Sequence, residues 1–466
     1  MIAGPTLVLG LLFLAAAAAY LLRRLEAVAA LLAAGVSVLL AVGLWRLPLN
    51  RPVKIVGRPV LLGQQVTIGD LSLVITPASR ALLVFLLITA AVTFILAWRT
   101  YQGRTFYPFG LALVAFWSSV ALLQPLLLAP FAVVLTAILA VFLILAGRPG
   151  ETRGAWRQLL FPTLSLPLFV VASWYIEQAP LNPDDTTPYR IASWLLIAGF
   201  ILLLQPAPLH VAIPAVAGQA PPVVAAFLWI GGQAVILFLL QRFLVTYPWL
   251  STAVDSARWL LWLGIFTAVL GGLLTAAQKR LGRMLGYAAV YDYGILIVAM
   301  GLRGTAGLPT AIWLLLTRTL ALLTLATGAA IIRHHMEGDR YEHLAGAISR
   351  LPLAVIALIA GGFALVGMPL TAQFASRWTL LQLVAEDDPR WAFLLLIGAL
   401  GVLVGTVRAG RACFGDLSAS PVEREPRSVA VLAAVLVVVG VLLGIFPQLL
   451  TGPVAAVILP LATLGQ

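Results

Sequence analysis

Four ionisable side chains lie inside otherwise apolar stretches of this sequence: His210, Asp292, Arg318 and Arg377. Gln233 adds an uncharged hydrogen-bonding group in a fifth place. An ionisable residue in a bilayer core costs at least roughly 2.5–3.5 kcal/mol on insertion scales, so its presence implies a use. Histidine titrates near neutrality and can pass protons. The bland alternative for His210 is a histidine that bonds a carbonyl freed by a helix break. Asp292 can act as a relay carboxylate or can neutralise a nearby arginine. Arg318 sits mid-span in LLLTRTLALL; a guanidinium is a poor proton carrier and a good ion-pair partner. An Asp292–Arg318 pair across adjacent helices is therefore expected. Arg377 is either an ion gate facing water or a paired structural cation. Gln233 can hydrogen-bond but cannot titrate. His210, Gln233, Asp292, Arg318 and Arg377 are thus the candidates for a proton path.

These residues need a scaffold, and composition says which. Of 466 residues, 62% are hydrophobic and 10% charged. No soluble core absorbs that much apolar surface, so lipid is the solvent. Backbone groups in lipid must be bonded internally, which leaves helices or a closed barrel. The apolar runs are continuous and of helix length. About fourteen spans are expected, near 5–22, 27–46, 80–98, 106–123, 126–146, 158–177, 191–217, 221–243, 258–277, 284–302, 308–332, 351–383, 391–412 and 428–446. A short apolar piece at 449–464 fits an interfacial segment. The first span lacks a basic leader and a small-residue cleavage site, and reads as a retained helix.

The formal net charge of +12 would suggest nucleic acid in a soluble protein. Here the arginines cluster in short loops beside the spans, which argues for orientation and against nucleic-acid binding. One set of alternate connections holds Arg23 and Arg24; Arg99 and Arg104; Arg148, Arg153 and Arg157; Lys279, Arg280 and Arg283; Arg333, Arg340 and Arg350; and Arg408, Arg411, Arg424 and Arg427. The opposite set includes the acidic stretches at 177–185 and 386–389. The positive-inside rule puts the first set in the cytoplasm and both termini outside. The loop at 47–79 is basic on the wrong side, but long loops weigh less; its VLLGQQVTIGDLSLVI stretch predicts a β-hairpin.

Two spans are interrupted. The seventh contains Pro206, Pro208 and Pro214; the twelfth contains Gly367, Pro369 and the polar Thr371 and Gln373. Proline removes a backbone donor and clashes with the preceding turn. Paired broken helices point to an inverted-repeat transporter, although prolines can also merely kink packed helices. Other chemistry is thin. A single cysteine, Cys413, excludes an internal disulfide and argues against an iron–sulfur or zinc-thiolate site in this chain. His334, His335 and His343 in RHHMEGDRYEH lack metal-site spacing. No metal and no cofactor of its own is expected for this chain.

Four segments, in order, carry a family resemblance. They are the Pro-Leu-His-x-x-x-Pro and Gln-Ala-Pro elements within 203–243, Lys279 to Gly294, Gly367 to Trp378, and Gly444-Ile445-Phe446-Pro447-Gln448. They resemble the antiporter-like membrane subunits shared by respiratory complex I, Mrp-type cation antiporters and membrane-bound hydrogenases. Length and the basic residue at 377 are more similar to the M- and N-type subunits than to the longer L-type. The resemblance implies an all-α integral membrane fold with two inverted five-helix repeats and two broken helices. It divides the chain into 1–105 (N-terminal helices with an external hairpin loop), 106–243 (first repeat), 258–412 (second repeat) and 413–466 (C-terminal helices). It implies other membrane-arm subunits and the lipid bilayer as partners, with redox chemistry in other chains.

Departures from the family pattern matter as much. The family's two lysines, seven residues before and twenty-four after the histidine, are Leu203 and Ala234 here. No Asp or Glu lies between Asp70 and Glu151, so the family's fifth-span carboxylate is missing. Gln219 and Ala215 stand where relatives often carry Glu and Asp, Asp292 takes the family's histidine position, and Arg377 takes the place of its twelfth-span lysine. Two versions of function follow: a reduced proton path through His210, Gln233, Asp292 and water, or a non-pumping spacer in the arm of a proton-translocating NADH:quinone oxidoreductase. Missing lysines and carboxylate favour the spacer. Alternatives are a subunit of a related antiporter or hydrogenase, a stand-alone secondary transporter, and a lipid-linked glycan enzyme using EQAPLNPDDTTPYR at 177–190.

Overall fold

The computed structural model describes residues 2–55, 57–100, 102–146, 150–181, 185–250, 255–302, 306–336, 338–415, 425–452 and Ala455. Its helices are α1 (Gly4–Leu21), α2 (Glu26–Arg46), α3 (Pro77–Thr100), α4 (Phe106–Leu122), α5 (Ala129–Leu145), α6 (Arg153–Gln178), α7 (Thr187–Leu204), α8 (Ala212–Gln219) and α9 (Pro222–Thr246). They continue with α10 (Ser256–Ala277), α11 (Leu281–Gly301), α12 (Gly307–His335), α13 (Pro352–Val366), α14 (Phe374–Asp387), α15 (Pro389–Ala412) and α16 (Arg427–Ile445). Twelve described helical segments are long and apolar enough to cross a membrane, and α4 and α13 are shorter apolar helices. The protein is a multi-pass, predominantly helical membrane protein. Arg148, Arg424 and most of the apolar piece at 449–464 fall outside the described residues.

Helix starts follow local chemistry. Proline opens α1, α5, α7, α9, α13 and α15, where its missing N–H costs nothing. Asp255 and Asp388 cap α10 and α15 by accepting from the backbone N–H of Arg258 and Arg390. Pro162 and Pro167 lie within α6, which continues through both.

The helical reading needs one addition. Two small three-stranded sheets gather at one end of the first helices. In one, β1 (Ile2–Ala3), β2 (Val53–Ile55) and β3 (Arg58–Leu61) pair in the order β1-β3-β2. In the other, β4 (Val66–Ile68) and β5 (Leu71–Leu73) form the hairpin foreseen in the long loop, and β6 (Leu123–Gln124) adds to β5. Ile68 pairs with Leu71, so Gly69-Asp70 is a two-residue turn, and Gly69 supplies the positive φ of 61°. Strands of two to four residues gave no alternating signal long enough to register beside the hairpin.

Both foreseen interruptions are present. α7 stops at Leu204 and the chain re-enters helix at Ala212; α13 stops at Val366 and re-enters at Phe374. In the first break Ala207 N–H donates to Thr267 Oγ1 of α10 at 2.9 Å, and Leu209 N–H donates to the Pro206 carbonyl at 2.7 Å. In the second, Gly367 takes φ 78° and Met368 N–H reaches back to the Phe363 carbonyl at 3.1 Å. These bonds satisfy part of the freed backbone inside protein, which is where irregular chain at membrane depth is tolerated.

Close packing uses small residues. A Cβ on Gly272 of α10 would lie 2.0 Å from the Gly398 carbonyl oxygen of α15, and one on Gly294 of α11 would lie 2.4 Å from the Ala268 nitrogen of α10. Such backbone contact is how helices associate where lipid is as apolar as the side chains. α9, α11 and α12 are buried along most of their length, whereas α16 is mostly exposed. The three innermost helices are the ones that carry Gln233, Asp292 and Arg318.

Candidate functional site

Asp292 lies at the middle of α11, 2% exposed. Arg318, fully buried at the middle of α12, donates through Nε to Asp292 Oδ2 at 2.5 Å. The pair foreseen from two otherwise costly charges is therefore in place. Arg318 also donates through Nη2 to Gln233 Oε1 of α9 at 2.8 Å. One residue thus ties α9, α11 and α12 together.

A second arginine completes the cluster. Arg377 of α14 donates through Nη2 to the other carboxylate oxygen, Asp292 Oδ1. Its Nε donates to Gln373 Oε1 at 3.0 Å, and its guanidinium lies 5.0 Å from the centre of the Tyr291 ring. The second helix break positions it: the stem of Arg377 packs on Gly367, where a Cβ would lie 2.7 Å from Arg377 Cγ. Thr317 and Ser376 share a hydrogen bond of 3.0 Å, which holds α12 against α14 one residue before each arginine.

The electrostatics follow from counting. One carboxylate faces two guanidinium groups, so the cluster carries a net +1 in the most buried part of the bundle. An aspartate that bridges two buried cations neutralises both in part, and losing its charge would leave both unpaired. Asp292 is paired with arginine on both carboxylate oxygens. For Arg377 the geometry is that of a paired cation.

Other candidates lie apart. His210 is buried in the segment between α7 and α8, with its ring centre 6.0 Å from that of Tyr287. Among the described residues no hydrogen bond joins it to the Asp292 cluster. Its ring bonds the backbone carbonyl of Pro208 within the break, the reading of a histidine that bonds a carbonyl freed there, while its Nδ1 has no protein partner. Pro206 and Pro208 lie in the break itself and Pro214 inside α8; Pro369 lies in the second break after Gly367. Leu203 and Ala234 are buried, and Ala234 faces an apolar cavity of about 80 Å³ lined also by Ala78, Leu82 and Phe85.

Sequence reasoning missed three connections. It did not pair Arg377 with Asp292, because the two are eighty-five residues apart and only the fold brings them together. It did not use Gln373 and Arg377, whose i, i+4 spacing was legible as a same-face pair. It noted Gln219 only as a lost acid. Gln219 in fact accepts from Gly154 N–H at 2.8 Å and donates to the Glu151 carbonyl, clamping the start of α6.

Comparison with known proteins agrees with this geometry. Residues 176–404 match the family described as NADH:quinone oxidoreductase/Mrp antiporter, transmembrane. The chain is 26% identical over 270 residues to NADH-quinone oxidoreductase subunit N of Desulforamulus reducens, covering 56% of this chain and 54% of that one. It is 30% identical over 273 residues to subunit N of Cereibacter sphaeroides, covering 57% and 58%. It thus spans somewhat over half the length of these curated relatives. In fold it is similar to a chain of the membrane-bound sulfane sulfur reductase, an archaeal respiratory membrane complex, with a TM-score of 0.83 at 17% identity, covering 98% of this chain and 97% of that one. It is also similar to a chain of respiratory complex I from Thermus thermophilus, with a TM-score of 0.75 at 18% identity, covering 99% and 100%. Residues 176–404, which match the NADH:quinone oxidoreductase/Mrp antiporter transmembrane family, hold both helix breaks and the Asp292 cluster, so the likeness falls on the part of the chain that builds the site.

Proposed function

We propose that this protein is a membrane-arm subunit of a complex I-like, redox-driven assembly, and that it holds the arm's geometry rather than carrying a proton relay. The observation behind this reading is the fixed Arg318–Asp292–Arg377 cluster at the position where a relay would need groups that exchange protons. Leu203 and Ala234, buried in apolar surroundings, support it from the other half of the chain. Electron carriers and cofactors belong to partner subunits. The arginine-bearing loops face the cytoplasm of a prokaryotic inner membrane, and the end with the two small sheets faces outward; the positive-inside rule supports this orientation.

Two measurements test the proposal. Native membranes are solubilised in mild detergent and this chain is captured; mass spectrometry is expected to find flavin and iron–sulfur subunits with it. Recovery alone would favour a stand-alone transporter, and recovery with cation-antiporter subunits only would move the chain to that branch. The assembly is then reconstituted with His210→Ala or Gln233→Leu, and the proton-per-electron ratio is read per assembled complex. The spacer role requires an unchanged ratio.

A further inference from the structure

A polar cleft of about 640 Å³ opens between the starts of α6 and α11 and the end of α8. Its charged walls are Arg153 and Arg157 on one side, with Glu151 just before them, and Arg280 and Arg283 on the other, with Asp339 beside them. Four cations against two carboxylates leave a local excess of +2. Among the described residues none of the four arginines is in an ion pair.

Both walls are held by backbone geometry. On one side, Gln219 bonds Gly154 N–H and the Glu151 carbonyl, which fixes the turn before Arg153. On the other, Leu281 N–H donates to the Asp339 carbonyl at 2.7 Å and Tyr341 N–H to the Lys279 carbonyl at 3.1 Å, an antiparallel bridge that fixes Arg280. The cleft is therefore a preorganised cationic recess. It also adjoins the lipid face: Trp156, next to Arg157 and on the same helix, is 69% exposed, and Leu160 and Leu164 continue the apolar strip along α6. A tryptophan beside such a strip marks the membrane–water boundary.

We propose that this cleft binds the phosphate of an anionic phospholipid headgroup, with the acyl chains lying along α6. Guanidinium groups suit the ligand because their planar fork meets phosphate oxygens two at a time. The lipid-facing strip that begins at Trp156 is what selects a headgroup over a free anion. This inference is independent of whether the subunit conducts protons.

The test uses the purified chain with whatever subunits accompany it, in nanodiscs of phosphatidylcholine doped with phosphatidylglycerol. Retained lipid is counted by native mass spectrometry. Wild type is expected to retain phosphatidylglycerol. At about fivefold in affinity per arginine near a membrane surface, Arg280→Gln with Arg283→Gln should weaken retention by about twenty-five-fold. Arg153→Gln with Arg157→Gln tests the opposite wall with the same expectation, should the first pair compromise folding. Equal retention by wild type and both variants would overturn the site. If inorganic phosphate displaces the lipid at equal concentration, the lipid source is overturned, because a free anion would then compete without the α6 strip.

Discussion

Arg377 donates to Asp292 Oδ1, the carboxylate oxygen that Arg318 leaves free. Each arginine thus depends on the same aspartate, and the energetics of the three residues are coupled. Breaking a buried ion pair by removing one partner costs about 3–5 kcal/mol, while replacing the whole group with apolar residues of similar volume is often neutral. Asp292→Asn should therefore cost at least that range, because it strands two cations. Asp292→Leu combined with Arg318→Met and Arg377→Met should recover most of the loss. Thermal unfolding of the purified protein decides: a triple variant no more stable than Asp292→Asn would mean that the charges themselves hold the bundle together.

The close approach of α10 and α15 makes a second expectation. Gly272 and Gly398 meet backbone to backbone, with 2.0 Å available to an added Cβ. Gly272→Ala must push the helices apart, and overpacking of this kind costs about 1–3 kcal/mol. Gly10 of α1 has nothing within 4 Å of its would-be Cβ, so Gly10→Ala should show no loss. Comparable melting shifts in the two variants would contradict the packing argument.

Much of this was legible in the chain, for reasons that can be stated. Helix positions were, because continuous apolar runs admit few alternatives in lipid. Both breaks were, because Pro206, Pro208, Gly367 and Pro369 are local signals whose effect does not depend on the fold. The Asp292–Arg318 pair was, because two lone charges on adjacent spans each need a partner. Arg377 was read as a paired or gating cation but not joined to Asp292, since α14 reaches α11 only after the chain has broken and returned. The two small sheets were half seen. The Gly69-Asp70 turn is a local signal, whereas β1 and β6 are two-residue strands placed by the ends of α1 and α4.

Gln219 supplies a third expectation. Its amide makes two bonds of opposite sense, accepting from Gly154 and donating to Glu151. Gln219→Glu keeps the acceptor and loses the donor, leaving the Glu151 carbonyl without this bond. An unsatisfied, partly buried acceptor costs about 1–3 kcal/mol. The loop before α6 should then open more often, and trypsin should cut after Arg153 or Arg157 sooner than in wild type. Unchanged cleavage kinetics would show that the clamp is not what holds the loop.

Cys413, the sole cysteine, gives the fourth, and it depends on pH. The residue follows α15, is fully buried, and lies with Sγ 3.4 Å from the Ala409 carbonyl. Burial disfavours the thiolate and pushes the thiol up to about 11. Because the thiolate is the nucleophile, its share near pH 8 is about one part in a thousand. Maleimide labelling of the folded protein should therefore be slow at neutral pH. It should rise about tenfold per pH unit and level off only above the thiol's titration, for as long as the fold persists. The sign is fixed by the direction of the shift: a raised value moves the whole rate profile to higher pH than that of a free cysteine. Denaturing detergent should abolish the difference by exposing the sulfur to water. Rapid labelling of the folded protein at pH 7 would mean that the junction after α15 opens to solvent, and the packing of Cys413 against Ala409 would have to be abandoned.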